Sequence, residues 1–207
     1  MAKSAQSDSA ADPKSAAIPA FLDPEKETHA FLKAHKRALS KRWSLKSMNP
    51  LFDGVDLAFF LAASKRDGEA SEICNLLAAS VSFAGNFNIW TPVGYAICLK
   101  ARLLREAGKA DEADAALNPV IANPFNRTPI QAQIDKDLSA LPADLEKALA
   151  QSAKKASCQT VSRKLYTICW YLEMSLAKVP GFAGYPAEQL QELWRRGLPK
   201  LAARLDS

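Results

Sequence analysis

Seven of the twelve prolines in this chain stand directly after Asp, Asn or Thr: Pro13, Pro24, Pro50, Pro92, Pro119, Pro124 and Pro129. Such pairs mark helix starts. The short polar side chain accepts a hydrogen bond from an orphan N–H of the first turn. Proline fills the next position without loss, because its missing N–H would have been unpaired there anyway. A chain punctuated in this way reads as a string of helices with short connections. Strand signals are scarce: no alternating β-branched run exceeds a few residues, and Asp67–Gly68 lies between two helical patterns rather than two strands. The spacing predicts helices at about 24–43, 54–65, 69–83, 92–107, 110–118, 129–139, 142–155, 159–178, 187–196 and 198–205. The fold class expected is all-α.

Two helical hairpins stand out. VDLAFFLAASKRDGEASEICNLLAAS is expected to turn at Gly68, and PVGYAICLKARLLREAGKADEADAAL at Gly108, 40 positions further on. Apolar residues follow each glycine at matching offsets, Ile73 and Leu77 in the first hairpin, Ala113 and Leu117 in the second. Ala101, Leu104, Gly108, Ala113 and Leu117 fall at the small, large, glycine, alanine and large positions of a tetratricopeptide repeat, so residues 92–124 resemble one such unit. The 40-residue offset exceeds the repeat's usual period of about 34, the early tryptophan is missing, and Asn118–Pro119 is expected to interrupt the second helix. The resemblance implies stacked antiparallel helical hairpins, either a TPR-like or irregular α-solenoid or a helical bundle.

At 207 residues the chain suits one domain with a full core, placed at 21–207. Residues 1–20 are rich in Ser, Ala, Asp and Lys with no apolar face, and are expected to be a disordered lead-in. No apolar run approaches the roughly 18–20 residues needed to span a bilayer, and the N-terminus lacks the apolar stretch of a secretory signal. The expected location is cytoplasmic, which leaves the Asn126–Arg127–Thr128 triplet without meaning as a glycosylation acceptor. The four cysteines, Cys74, Cys98, Cys158 and Cys169, form no C-x-x-C pair and sit among apolar neighbours, as buried free thiols do.

Chemistry-bearing patterns are few. His29 and His35 are six apart without supporting ligands, so neither a metal site nor a Ser-His-Asp or Cys-His mechanism is indicated. Glycine-rich phosphate and dinucleotide fingerprints are absent, and no cofactor is expected. Asp111, Glu112 and Asp114, with Asp135 and Asp137, sit where negative charge favours a helix start. The segment LYTICWYLEMSLA, Leu165 to Ala177, is apolar nearly all round and reads as a central helix; a cavity lined by Tyr166, Trp170 and Tyr171 is the alternative. Charge is segregated: net +4 over residues 1–52, −4 over 53–150 and +5 over 151–207. The strongest run, KAHKRALSKRWSLK, holds Lys33, Lys36, Arg37, Lys41 and Arg42 with no acid between, and Lys33, Arg37 and Lys41 recur every four residues, which aligns them on one helix face.

These residues are the expected partner-binding site, and a protein is the preferred partner because no nucleic-acid module or interleaved stacking aromatics accompany them. The stretch LFDGVDLAFFLAASKRDGEASEICNLLAAS, followed by LLREAGKADEADAAL, is similar in pattern to the all-helical immunity proteins of bacterial polymorphic-toxin systems. That resemblance implies stoichiometric binding of a cognate toxin, with no enzyme activity. The alternatives are a nucleic-acid-associated factor using the basic ends, or an enzyme with a scattered site built on Cys158 or Cys169.

Overall fold

The computed structural model describes residues 50–79, 87–122, 131–151, 158–182 and 186–206. Seven α-helices occupy them: α1 (Pro50–Ala63), α2 (Asp67–Ala79), α3 (Phe87–Glu106), α4 (Ala110–Ala122), α5 (Gln131–Ala150), α6 (Cys158–Leu176) and α7 (Ala187–Asp206). No strand occurs among the described residues. The predicted helix 24–43, the lead-in 1–20, both histidines and Asn126 lie outside them.

Three helices end in the same way. After α3, Gly108 takes φ 78°, its N–H bonds the Arg105 carbonyl at 3.0 Å, and the next N–H, of Lys109, reaches back to Leu104 at 2.9 Å. This double bond, a Schellman motif, satisfies carbonyls the helix leaves open. The α1 end repeats it with Lys65 (φ 60°), as Lys65 and Arg66 bond Ala62 and Leu61. The α6 end repeats it with Lys178 (φ 53°), as Lys178 and Val179 bond Ser175 and Met174. The first hairpin therefore turns at Lys65 and not at Gly68, which is the second residue of α2. The true offset between the two hairpins is that from Lys65 to Gly108, 43 positions and not 40. In that register Ala58 matches Ala101, Ala70 matches Ala113, Cys74 matches Leu117 and Leu77 matches Val120, all buried.

Proline placement misled the boundaries in four places. Pro50 does open α1, but Pro92 lies inside α3, Pro119 inside α4, Pro142 inside α5 and Pro199 inside α7. The expected breaks at Asn118–Pro119, between 139 and 142, and at Gly197 do not occur. An internal proline costs about 3 kcal/mol by losing one bond and crowding the preceding turn. Pro119, Pro142 and Pro199 are exposed, so on that face the freed carbonyls can take water. Buried residues on both sides, Leu117 and Val120, Leu141 and Leu145, Leu198 and Leu201, anchor each half. Burying a Leu contributes about 1.5–3 kcal/mol, so the flanks outweigh the break.

Side-chain contacts give the helix directions. On α3 and α6, Tyr95 meets Tyr166 and Trp170, while Arg102 and Arg105 meet Glu173, so these two run parallel. On α5 and α6, Asp137 meets Tyr171 while Asp144 meets Lys164, so these run antiparallel. Central α6 packs on α1, α3, α5 and α7. Its neighbours come close because they carry glycine there: a Cβ on Gly94 would meet Trp170 Cζ3 at 2.9 Å, and one on Gly197 would meet Leu165 Cδ2 at 2.6 Å. α1 also touches α7. In a solenoid each repeat touches only its neighbours; contact between first and last described helices makes this a bundle carrying hairpins. Among the described residues no helix is long and apolar enough to cross a membrane.

Candidate functional site

Two charged centres are buried along α6, and neither was anticipated. The first lies against α1. Asp56 is fully buried, and its Oδ1 accepts hydrogen bonds from both Ser162 Oγ and Tyr166 OH. Ser162 Oγ and Tyr166 OH are themselves 3.4 Å apart. Among the described residues, Oδ2 of Asp56 has no hydrogen-bond partner. Burial pushes this carboxyl up to about 6, against the two hydroxyls and the attraction of Arg163, which pull it down. The surroundings are rings: Phe59 lies 4.7 Å from Tyr166, Tyr95 lies 5.3 Å from Tyr166, and Trp170 and Phe52 flank Tyr95 at 5.2 and 6.5 Å.

The second centre ties four helices together. Glu173, fully buried on α6, receives Arg105 Nε at 2.7 Å and stands 3.3 Å from Arg102 Nη1. Arg105 also bonds Asp114 on α4. Arg102 Nε lies 3.3 Å from Glu106, whose Oε1 accepts Trp194 Nε1 of α7 at 2.8 Å. Burial pushes the Glu173 carboxyl up while Arg105 and Arg102 pull it down. A buried carboxylate between two guanidiniums is a fixed electrostatic joint, since removing it leaves the arginines with only the more exposed Asp114 and Glu106.

The thiols are shielded as expected, with one exception. Cys74, Cys98 and Cys169 are buried and free, and Cys158, the first residue of α6, is partly exposed. Burial pushes Cys74 up to about 12 and raises Cys98 and Cys169 well above the ordinary thiol range. A thiolate is the nucleophilic form, so these three are poor nucleophiles, and the Cys169 version of a catalytic site has no physical support. The α6 aromatics behave as core. Tyr166 is bonded to Asp56, Trp170 packs on Gly94, and Tyr171 stacks 5.9 Å from Phe182 while its hydroxyl reaches Asp137 at 3.1 Å. Among the described residues no three His, Cys, Asp or Glu side chains gather as metal ligands.

The outer surface is where charge meets water. α4 packs mainly on α3, and its other face exposes Asp111, Glu112, Asp114, Ala115, Asn118 and Pro119. α2 exposes Asp67, Glu72 and Asn75, and neither helix contains a basic residue. The preceding turn residues partly balance the acids, with Arg66 paired to Glu69 at 2.5 Å and Lys109 to Glu112 at 3.1 Å. Asp111 and Glu112 lie in the first turn of α4, as expected of solvated helix-start acids. A shallow groove between the end of α4 and the turn after α6 is lined by Asn118, Ile121, Ala122 and Pro180. The expected partner-binding residues Lys33, Lys36, Arg37, Lys41 and Arg42 lie outside the described residues.

Residues 10–141 match the protein family described as a family of unknown function, DUF6707, and the chain belongs to that family. The matched stretch contains both hairpins and Asp56, but not Ser162, Tyr166 or Glu173. No curated protein and no solved structure matches the chain.

Proposed function

We propose that this DUF6707 member is a non-enzymatic helical domain that works by binding another protein. The observation that carries the reading is α4: a helix held on one side by α3, with an acidic face turned outward and a groove at its end. The buried groups support it. Asp56, Glu173 and three of the thiols are committed to the interior, which suits a rigid scaffold. The basic stretch Lys33, Lys36, Arg37, Lys41 and Arg42 is the second contact region proposed, and it carries the opposite sign. Complementary charge of this kind sets association speed and partner choice more than raw affinity.

The sharper form of this reading is an immunity protein that binds and neutralises a cognate toxin in the bacterial cytoplasm. It rests on the similarity of the two hairpin stretches to that class. The experiment that tests the binding reading reverses Arg37 and Lys41 to Glu and follows association with the captured protein partner. Slower association with unchanged melting supports it. Sequence-independent micromolar binding to DNA or RNA near physiological salt, lost in the double reversal and falling steeply with added salt, would replace it with a nucleic-acid role.

A further inference from the structure

We propose that Asp56 is a proton-operated latch between α1 and α6, seated when its carboxyl is neutral and loosened when it is ionised. This does not depend on the binding reading. The geometry is one-sided. Two hydroxyls of α6 converge on a single carboxylate oxygen, while the other oxygen is buried with no donor. The two hydroxyls favour the ionised form, but ionisation leaves a charge without a contacting counter-charge in a site closed to water, which costs more than the one unmet O–H of the neutral acid.

Among the described residues, the groups around it do not supply a counter-charge in contact. α1 contains no Lys or Arg, and its other acid, Asp53, is also buried, one turn earlier. From α6 come Ser162, Tyr166 and the exposed Arg163, which attracts the carboxylate without bonding it. From α3, the Tyr95 hydroxyl is engaged by Thr167 of α6. α7 contributes the Trp194 ring, 6.0 Å from Phe59. From α2, which also packs on α1, the buried titratable group is Cys74, and it interacts with Lys100 of α3.

The sign follows from the direction of the shift. The folded carboxyl titrates near 6 and the freed one near 3.8, so between these values the closed junction holds a proton that the open one has lost. The latch is complete at low pH and weakens as pH rises through about 6. Opening of the α1–α6 junction is therefore expected to increase about tenfold from pH 5 to pH 7.5.

Amide hydrogen exchange of the full chain in α1 and α6, corrected for intrinsic rates at the two pH values, reads this directly. The increase is expected in the wild type and absent in Asp56→Asn. The same increase in Asp56→Asn would overturn the latch and move the effect to another buried acid, such as Glu173 on α6. Carboxyl-carbon NMR of the wild type needs no variant to fold. A midpoint near 6, moving upward in Tyr166→Phe as one anion-stabilising hydroxyl is lost, supports the latch; a midpoint below 5 or a downward move refutes it.

Discussion

Lys65, Gly108 and Lys178 occupy the same left-handed position after three different helices, yet only one of them is glycine. This explains why a single turn was legible in the sequence. Gly108 announces its φ, whereas a lysine there is indistinguishable from any surface lysine, and nearby Gly68 offers a false signal. A side chain with a Cβ pays roughly 1 kcal/mol to adopt that conformation. Lys65→Gly and Lys178→Gly should each raise stability by up to about 1 kcal/mol, and Gly108→Ala should lower it by about as much, as read from denaturant midpoints. A drop on either glycine substitution would show that the lysine side chain holds the turn in some other way. The buried acids were illegible for a related reason: Asp53, Asp56 and Glu173 interrupt apolar stretches of their helices, but partners such as Ser162, about a hundred residues away, cannot be found from one sequence. The thiols were legible from their apolar neighbours, except Cys158, which begins a helix and is partly exposed. Native alkylation followed by mass spectrometry should label Cys158 alone, and denaturation should add the other three; early labelling of Cys74, Cys98 or Cys169 would contradict the packing.

Among elements, helical periodicity was the dependable signal and proline the deceptive one. The segment Leu165 to Ala177, apolar nearly all round, correctly marked α6 as a central helix, with Leu176 and Ala177 at its end only partly buried. Proline reports a local preference, and at Pro119, Pro142 and Pro199 packing of the flanking leucines and Val120 overrides it. Pro142→Ala is therefore expected to stabilise the chain by about 1–3 kcal/mol, restoring a helix bond on an exposed face. A neutral or negative change in melting would mean that the proline fixes a bend the neighbours need. Gly197 behaves oppositely. The break expected there, between 187–196 and 198–205, does not occur, and Leu165 lies where its Cβ would go, so Gly197→Ala should lower the melting temperature by forcing α7 away from α6.

Across the whole molecule, the network of Glu173, Arg102 and Arg105 joins the second hairpin to α6 and α7, and nothing in the spacing of these residues foretold it. Glu173→Gln leaves two guanidiniums without their buried counter-charge, and should cost about 3–5 kcal/mol in chemical denaturation. A loss below 1 kcal/mol would show that Glu106 and Asp114 are sufficient partners for the arginines. The same scale separates what is internal from what is displayed: charge inside is paired or tied down, and the acidic faces of α2 and α4 point outward. Whether that outward face serves recognition is decided most directly by quantitative affinity purification of the full chain beside the Asp111→Lys/Glu112→Lys variant, with circular dichroism showing both equally folded. One protein recovered in stoichiometric amount with the wild type and lost with the variant is the expected result. Equal recovery with both, or no protein enriched by either, would contradict recognition through α4.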